Sequence, residues 1–288
     1  DTKMDKWYVK FFFKSIFSKL TGIITINEKH RQRFLKIFPY PEKLFICGDS
    51  RFDTVIFEAE TSKEIEFLNT LGSNEHVFVA GSTWPYAENI IIKTWKKIKE
   101  KYNNSFLVIV PHEVDTEHVY KIESICQENN LKSIAFSELK NNEDVLRYDC
   151  LVIDVIGILA KVYSYSNISY VGGGFSKYGL HSVIEPAVFG IPVIFGPNLD
   201  KSPEAQEMKY LDCGMDFSSS AELYRAIDVL WSDSDLYSKI CSSSVGFINN
   251  HKGATERIVD IITGNISENE LEKVKSLTEE EFEKMRSN

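Results

Sequence analysis

The richest chemistry in the sequence lies in one run, VGGGFSKYGLHSVIEPAVFGIPVIFGP at 171–197. Glycines at a strand end let a backbone approach a phosphate with no Cβ in the way, and a helix start behind them offers free N–H groups and a positive dipole end. His181 is expected near the start of that helix and Glu185 one turn later on the same face, because residues i and i+4 align. A carboxylate so placed can accept two ribose hydroxyls at once. The plain alternative is a glycine turn with an ordinary surface helix behind it, which a triple glycine alone would favour. Glu185-Pro186, Gly190 and Pro192 at their spacing turn the reading towards nucleotide chemistry.

Stepping along the chain, four more strand-like runs end in residues of the same character: Gly81-Ser82-Thr83, Pro111-His112-Glu113, Asp154 and Gly196-Pro197-Asn198. The runs themselves, 76–81, 105–110, 149–154, 167–173 and 191–196, are continuously β-branched or aromatic, the pattern of strands buried on both faces. Helical stretches at 86–102, 116–130, 157–166 and 181–190 separate them. A sixth strand at 214–218 follows, with helices near 203–212, 220–231, 234–249 and 253–263. Strand and helix in alternation predict right-handed βαβ crossovers and a doubly wound parallel sheet. In such a sheet ligands bind at the carboxyl ends of the strands, where the polar residues fall. Upstream, 7–20 reads as an aromatic-lysine helix, 21–27 as a short strand, 28–38 as a basic helix and 43–48 as another strand, the end of a preceding α/β layer. The tail after Gly264 reads as a solvated charged helix.

With 43% hydrophobic and 26% charged residues over 288 positions, the chain has the composition of a soluble globular protein. Disorder, collagen-like repetition and a disulfide scaffold are excluded. Residues 1–45 hold ten Lys/Arg against four Asp/Glu, and the remainder 23 against 38. That acidic body argues against nucleic-acid binding, which needs a basic face for phosphates. Five scattered cysteines without a C-x-x-C pair read as reduced thiols. No H-E-x-x-H, Cys/His cluster or Asp-rich loop suggests a metal. No apolar run approaches the ~18–20 residues of a spanning helix. Asp154 is expected to cap the helix after its strand. Arg51 and Asp53 read either as functional charges at a domain crossover or as a surface ion pair.

Seven blocks in order carry a family resemblance: GDSRFD (48–53), AGSTW (80–84), VPHE (110–113) with a later His118, IDVIGIL (153–159), VGGGF (171–175), GLHSVIEPAVFGIPVIFGPN (179–198) and EA (204–205). They resemble the nucleotide-sugar half of GT-B glycosyltransferases. More narrowly they are similar to 3-deoxy-D-manno-octulosonic acid (Kdo) transferases of the Bacteroidetes type. The resemblance implies transfer of Kdo from CMP-Kdo to a lipid A precursor at the cytoplasmic face of the inner membrane, with no cofactor beyond the donor substrate. It implies that Glu185 and the backbone at Gly173 and Gly174 hold ribose and phosphate, and that Ser82 and Thr83 bond the phosphate or the Kdo carboxylate. Arg51 and Lys201 would add positive charge, and His112 would lie near cytidine or sugar. His181, Ser182 and Asn198 complete the expected donor set.

The resemblance divides the chain into 1–56, the end of an acceptor domain with the interdomain crossover; 57–264, the donor domain; and 265–288, the tail. The chain starts without an initiator methionine, and no segment matches the acceptor domain that supplies a general base in this family, so a piece of a longer enzyme is expected. The aromatic helix at 7–20 is then expected to pack against that domain, with a headgroup-layer helix as the alternative. Ser182, Val155 and Ser202 depart from the family pattern. Two other readings stay in play: a UDP-sugar transferase or epimerase of the same superfamily and, on Ser182, Val155 and the missing base, a nucleotide-binding module without catalysis.

Overall fold

The computed structural model describes residues 7–61, 65–74, 76–177 and 179–264, so the tail expected at 265–288 lies outside the described residues. The chain divides into two compact units, 1–54 with 251–288, and 55–250.

In chain order the elements are α1 (Trp7–Phe17), β1 (Ile23–Thr25), α2 (Glu28–Leu35), β2 (Leu44–Ile46), α3 (Ser50–Thr61), α4 (Glu66–Asn69), β3 (His76–Thr83), α5 (Pro85–Lys101), β4 (Ser105–Pro111), α6 (Thr116–Glu128), β5 (Ser133–Ala135), β6 (Cys150–Val152), α7 (Leu159–Val162), β7 (Ile168–Val171), α8 (Ile184–Ala187), β8 (Val193–Phe195), α9 (Pro203–Tyr210), β9 (Gly214–Asp216), α10 (Ser220–Ser232), α11 (Ser234–His251) and α12 (Ala254–Thr263).

The larger unit is built on a seven-stranded sheet of order β5-β6-β4-β3-β7-β8-β9, parallel at every pairing. Parallel strands need covered faces, and the runs that read as continuously apolar are buried end to end: every residue of β4, β6, β7 and β8 is buried. Phe78, Trp95, Phe106, Tyr170 and Phe195 fill the core at 1% exposure or less. Strand order reverses at β3, with β4, β6 and β5 on one side and β7, β8 and β9 on the other. Right-handed crossovers then send the helices of the two halves to opposite faces and open a crevice at the carboxyl ends of β3 and β7.

The sheet holds one strand more than the sequence suggests. β5 is a three-residue edge strand, too short to show a period of two, and its pairing with β6 fixes it. Asp154 does not cap α7. Its carboxylate takes the backbone N–H and hydroxyl of Ser137, just past β5. The helix expected over 157–166 is one turn, α7, continued as a 3₁₀ turn at Tyr163–Tyr165.

The smaller unit pairs β1 with β2 in a two-stranded parallel sheet. It also takes in α12, which the sequence division put with the donor domain at 57–264. The reason lies in the GDSRFD block. The Asp53 carboxylate receives the N–H groups of Gly253 and Thr255 at 2.6 Å each, capping the start of α12 from a separate helix. Arg257 of α12 donates from Nε to the Cys47 carbonyl at 2.9 Å. The surface-pair alternative for Arg51 and Asp53 is also replaced: Arg51 pairs with Asp49, while Asp53 serves as this cap. None of the residues of α1 is buried. Trp7, Phe11 and Phe12 are 80%, 73% and 60% exposed, while Phe17 meets Phe34 of α2 edge to face at 5.7 Å.

Candidate functional site

The end of β3 is where the site begins. A bulge falls between Gly81 and Thr83, and Ser82 sits in the left-handed region at φ 50°, an uncommon place for a residue with a side chain. The bulge is fixed by β7: Gly172 donates its N–H to the Gly81 carbonyl at 2.9 Å, and a Cβ on Gly172 would lie 1.7 Å from the Ser82 carbonyl oxygen. Two strand ends thus touch backbone to backbone at the point where strand order reverses.

The other two glycines of the triplet are spent in the same way. A Cβ on Gly173 would lie 2.2 Å from the Gly179 carbonyl oxygen, and one on Gly174 would lie 2.8 Å from the backbone of Gly196. Their carbonyls accept from Ser176 and Asn198. The side-chain-free backbone that the sequence reserves for a phosphate is therefore demanded by the protein's own loops. Among the described residues, no acceptor takes the N–H of Gly173 or Gly174, so those donors stay on offer.

His181 and Ser182 lie ahead of the helix instead of inside it, because α8 starts only at Ile184. The His181 N–H goes to the Gly172 carbonyl at 3.0 Å, which holds the segment as a loop folded back on the glycines. Glu185, in the first turn, is half-buried. Burial raises its pKa, the Ser182 hydroxyl that donates to it opposes the rise, and the charge of Glu58 adds to it. A half-buried carboxylate held by one hydroxyl keeps lone pairs for further hydroxyl donors.

His181 also reaches the end of β3. The Trp84 indole N–H points at His181 Nε2 at 3.5 Å, Trp84 stacks on His112 with ring centroids 4.6 Å apart, and His112 faces His181 at 4.6 Å. The three rings form one cluster from three loops. Burial, and then the neighbouring His112, push the His181 pKa below its ordinary value, so the ring is neutral at pH 7. Trp84 is the residue that sequence reasoning missed. It stood in the AGSTW block, but an exposed aromatic before a helix carries no signal by itself.

Thr83 is a correction. Its hydroxyl is fully buried and donates to Glu88 Oε1 at 2.8 Å, so it is not presented to a ligand. Glu88, also missed, lies in α5 at 1% exposure and holds His118 Nε2 at 2.9 Å. Asn198 braces the glycine loop, donating to the Ser176 carbonyl at 3.0 Å. Lys201 donates to the Lys177 carbonyl at 2.8 Å, which keeps its charge on that same loop. Arg51 lies in the smaller unit on the Asp49 carboxylate. Glu113, Asp115 and His118 bring ligand-type atoms within 4.8 Å of one another. They build a helix start: Asp115 accepts the His118 N–H, and both His118 ring nitrogens are engaged, Nδ1 with the Glu113 carbonyl and Nε2 with Glu88.

The sheet order and the glycine-lined crevice define a class, the GT-B fold, and comparison with known proteins agrees. No protein-family model matches the chain. The carboxyl-terminal CMP-Kdo-binding domain of WaaA from Acinetobacter baumannii superposes with a TM-score of 0.56 at 17% identity, over 68% of this chain and 98% of that one. The UDP-GlcNAc 2-epimerase of Neisseria meningitidis does so with 0.58 at 15% identity, over 84% and 61%. In sequence, the chain is 30% identical over 224 residues to the bifunctional glycosyltransferase/methyltransferase of Fusobacterium nucleatum, covering 77% of this chain and 34% of that protein. It is 26% identical over 261 residues to the 3-deoxy-D-manno-octulosonic acid transferase of Rickettsia felis, covering 88% and 54%. The expected kinship with the Kdo transferases is borne out, and the chain spans from a third to just over half the length of these two relatives.

Proposed function

We propose that the chain carries the donor-binding half of a Kdo transferase, and that its larger unit binds CMP-Kdo in the crevice at the ends of β3 and β7. The observation that carries this reading is the set of Kdo transferases among its sequence relatives. The geometry supports it. Glu185 offers a carboxylate to the ribose hydroxyls. The N–H groups of Gly173 and Gly174, with Lys201 on the same loop, suit the phosphate that departs as CMP. Transfer also needs a base to take the acceptor proton, which the resemblance assigns to the acceptor domain.

The acceptor is a lipid A precursor, and the reaction runs at the cytoplasmic face of the inner membrane. That location is supported by the lipid nature of the acceptor and by α1, whose exposed Trp7, Phe11 and Phe12 are interleaved with Lys10 and Lys14.

Titration calorimetry of the chain with CMP and with UDP tests the donor. CMP is expected to bind the tighter. Tighter UDP would favour a UDP-sugar enzyme, the reading that the epimerase-like fold keeps open.

A further inference from the structure

We propose that Glu88 is a positioning residue for the donor site: through Thr83 and His118 its buried carboxylate locks the loops after β3 and β4 so that Trp84 stacks on His112. The inference rests on the donor reading above for its ligand, but its geometry stands apart from it.

Thr83 is the joint. Its carbonyl accepts the His112 N–H at 3.0 Å, and its hydroxyl donates to Glu88 Oε1 at 2.8 Å. The Glu88 N–H in turn donates to the Trp84 carbonyl at 3.0 Å, the first bond of α5. One residue of α5 therefore holds Thr83 by its side chain and Trp84 by its backbone, while Thr83 holds His112. The other end of the β4 loop is held through His118, in the first turn of α6, whose Nε2 lies 2.9 Å from Glu88 Oε2.

The protons on this pair can be counted. The Glu113 carbonyl facing His118 Nδ1 only accepts, so Nδ1 carries a hydrogen. Between Nε2 and Oε2 there is then one proton, on imidazolium or on carboxylic acid, and in both forms the pair is neutral as a whole. Such a pair can be buried without an outside counter-ion. On β7 the Tyr170 hydroxyl is buried and without a hydrogen-bond partner among the described residues, and negative charge at Glu88 adds to the rise in tyrosine pKa that burial causes. Thr83 and Glu88 are buried at 0% and 1% exposure, and His118 at 8%.

A glutamine reproduces both bonds: its oxygen accepts from Thr83, and its amide N–H donates to a His118 Nε2 left unprotonated by the Nδ1–H tautomer. Glu88→Gln is therefore expected to keep CMP affinity within about twofold, while Glu88→Ala lowers it about tenfold, the scale of one buried hydrogen bond. Equal loss in both variants would overturn the proposal. A second readout is the emission of Trp84, obtained by subtracting the Trp84→Phe background. It should change in Glu88→Ala and hold in Glu88→Gln, whereas a merely stabilising Glu88 would shift only the unfolding temperature. If Glu88→Ala does not fold, Thr83→Val removes the same link, and unchanged affinity and emission in that variant overturn the proposal. If the wild-type chain binds neither CMP nor UDP, the donor reading fails. The Trp84 emission then decides the positioning role, for it if the signal moves and against it if it does not.

Discussion

The GDSRFD block of the smaller unit and the crevice of the larger one carry polar residues of equal promise, yet they spend them differently. In the first, hydrogen-bonding capacity is turned inward. Asp53 gives one oxygen each to two N–H groups of α12, Arg257 goes to a backbone carbonyl, and Arg51 forks onto Asp49. In the second, the inward work is done by glycine backbones and by the buried Thr83, Glu88 and His118, which leaves Glu185, His112, His181 and Trp84 at the surface of the crevice. Equal charge in a motif is not equal function. What separates the two is how much of each side chain's capacity the fold has already used.

The sharpest break should come from the glycines. Gly172→Ala puts a methyl 1.7 Å from the Ser82 carbonyl, and no rotamer can relieve a clash with backbone. A loss of about 3 kcal/mol or more in urea unfolding is expected. A stable Gly172→Ala protein would show that the β3–β7 contact is looser than described.

Glu185 and Asp53 give the crossed pair. Glu185→Ala should weaken CMP binding by about 1.5–3 kcal/mol, the range for hydrogen bonds to a charged group, with little change in stability. Asp53→Ala should do the reverse, removing about 1–2 kcal/mol of stability as a lost cap and leaving CMP affinity alone. The acid limb sharpens it. Burial tends to raise the Asp53 pKa, but the N–H groups of Thr255 and Gly253 outweigh it and hold the carboxyl below its ordinary value. The stability it contributes is thus present above the unfolded pKa and is lost as pH falls through the folded one. Asp53→Ala should lose that limb and Glu185→Ala should not. His181 gives a second limb, of opposite origin. Its folded pKa lies below the unfolded value, so between the two the unfolded chain binds more protons and stability declines as pH falls through that window. His181→Phe should flatten this decline in a pH series of urea midpoints.

The sheet was legible because buried parallel strands leave long apolar runs such as 105–110, which no other element needs. β5 was not, since three residues at an edge are set by pairing with β6. The crevice was legible as a place, from polar residues at successive strand ends, but not as an arrangement. Whether Thr83 points in or out depends on a bulge that β7 imposes, and Glu88 reads in sequence as one more surface glutamate of a helix. The placing of α12 with the smaller unit was illegible for the same reason: its cap, Asp53, is two hundred residues away.

The smallest expected effect tests the comparison at its weakest point. Arg51 is exposed on its side-chain surface, and its pairing with Asp49 should contribute under about 1 kcal/mol. Burial tends to raise the Asp49 pKa, and the Arg51 side chain and N–H more than offset it, so the carboxyl titrates below its ordinary value. Arg51→Ala should therefore cost little at pH 7 and move the acid-unfolding midpoint slightly upward, because the depressed pKa that protects the folded state at low pH is partly lost. If Arg51 serves only Asp49, CMP affinity stays where it was. A tenfold loss of affinity with the same small change in stability would instead make Arg51 a charge that the smaller unit contributes to the donor, and the division of labour between the two regions would no longer hold.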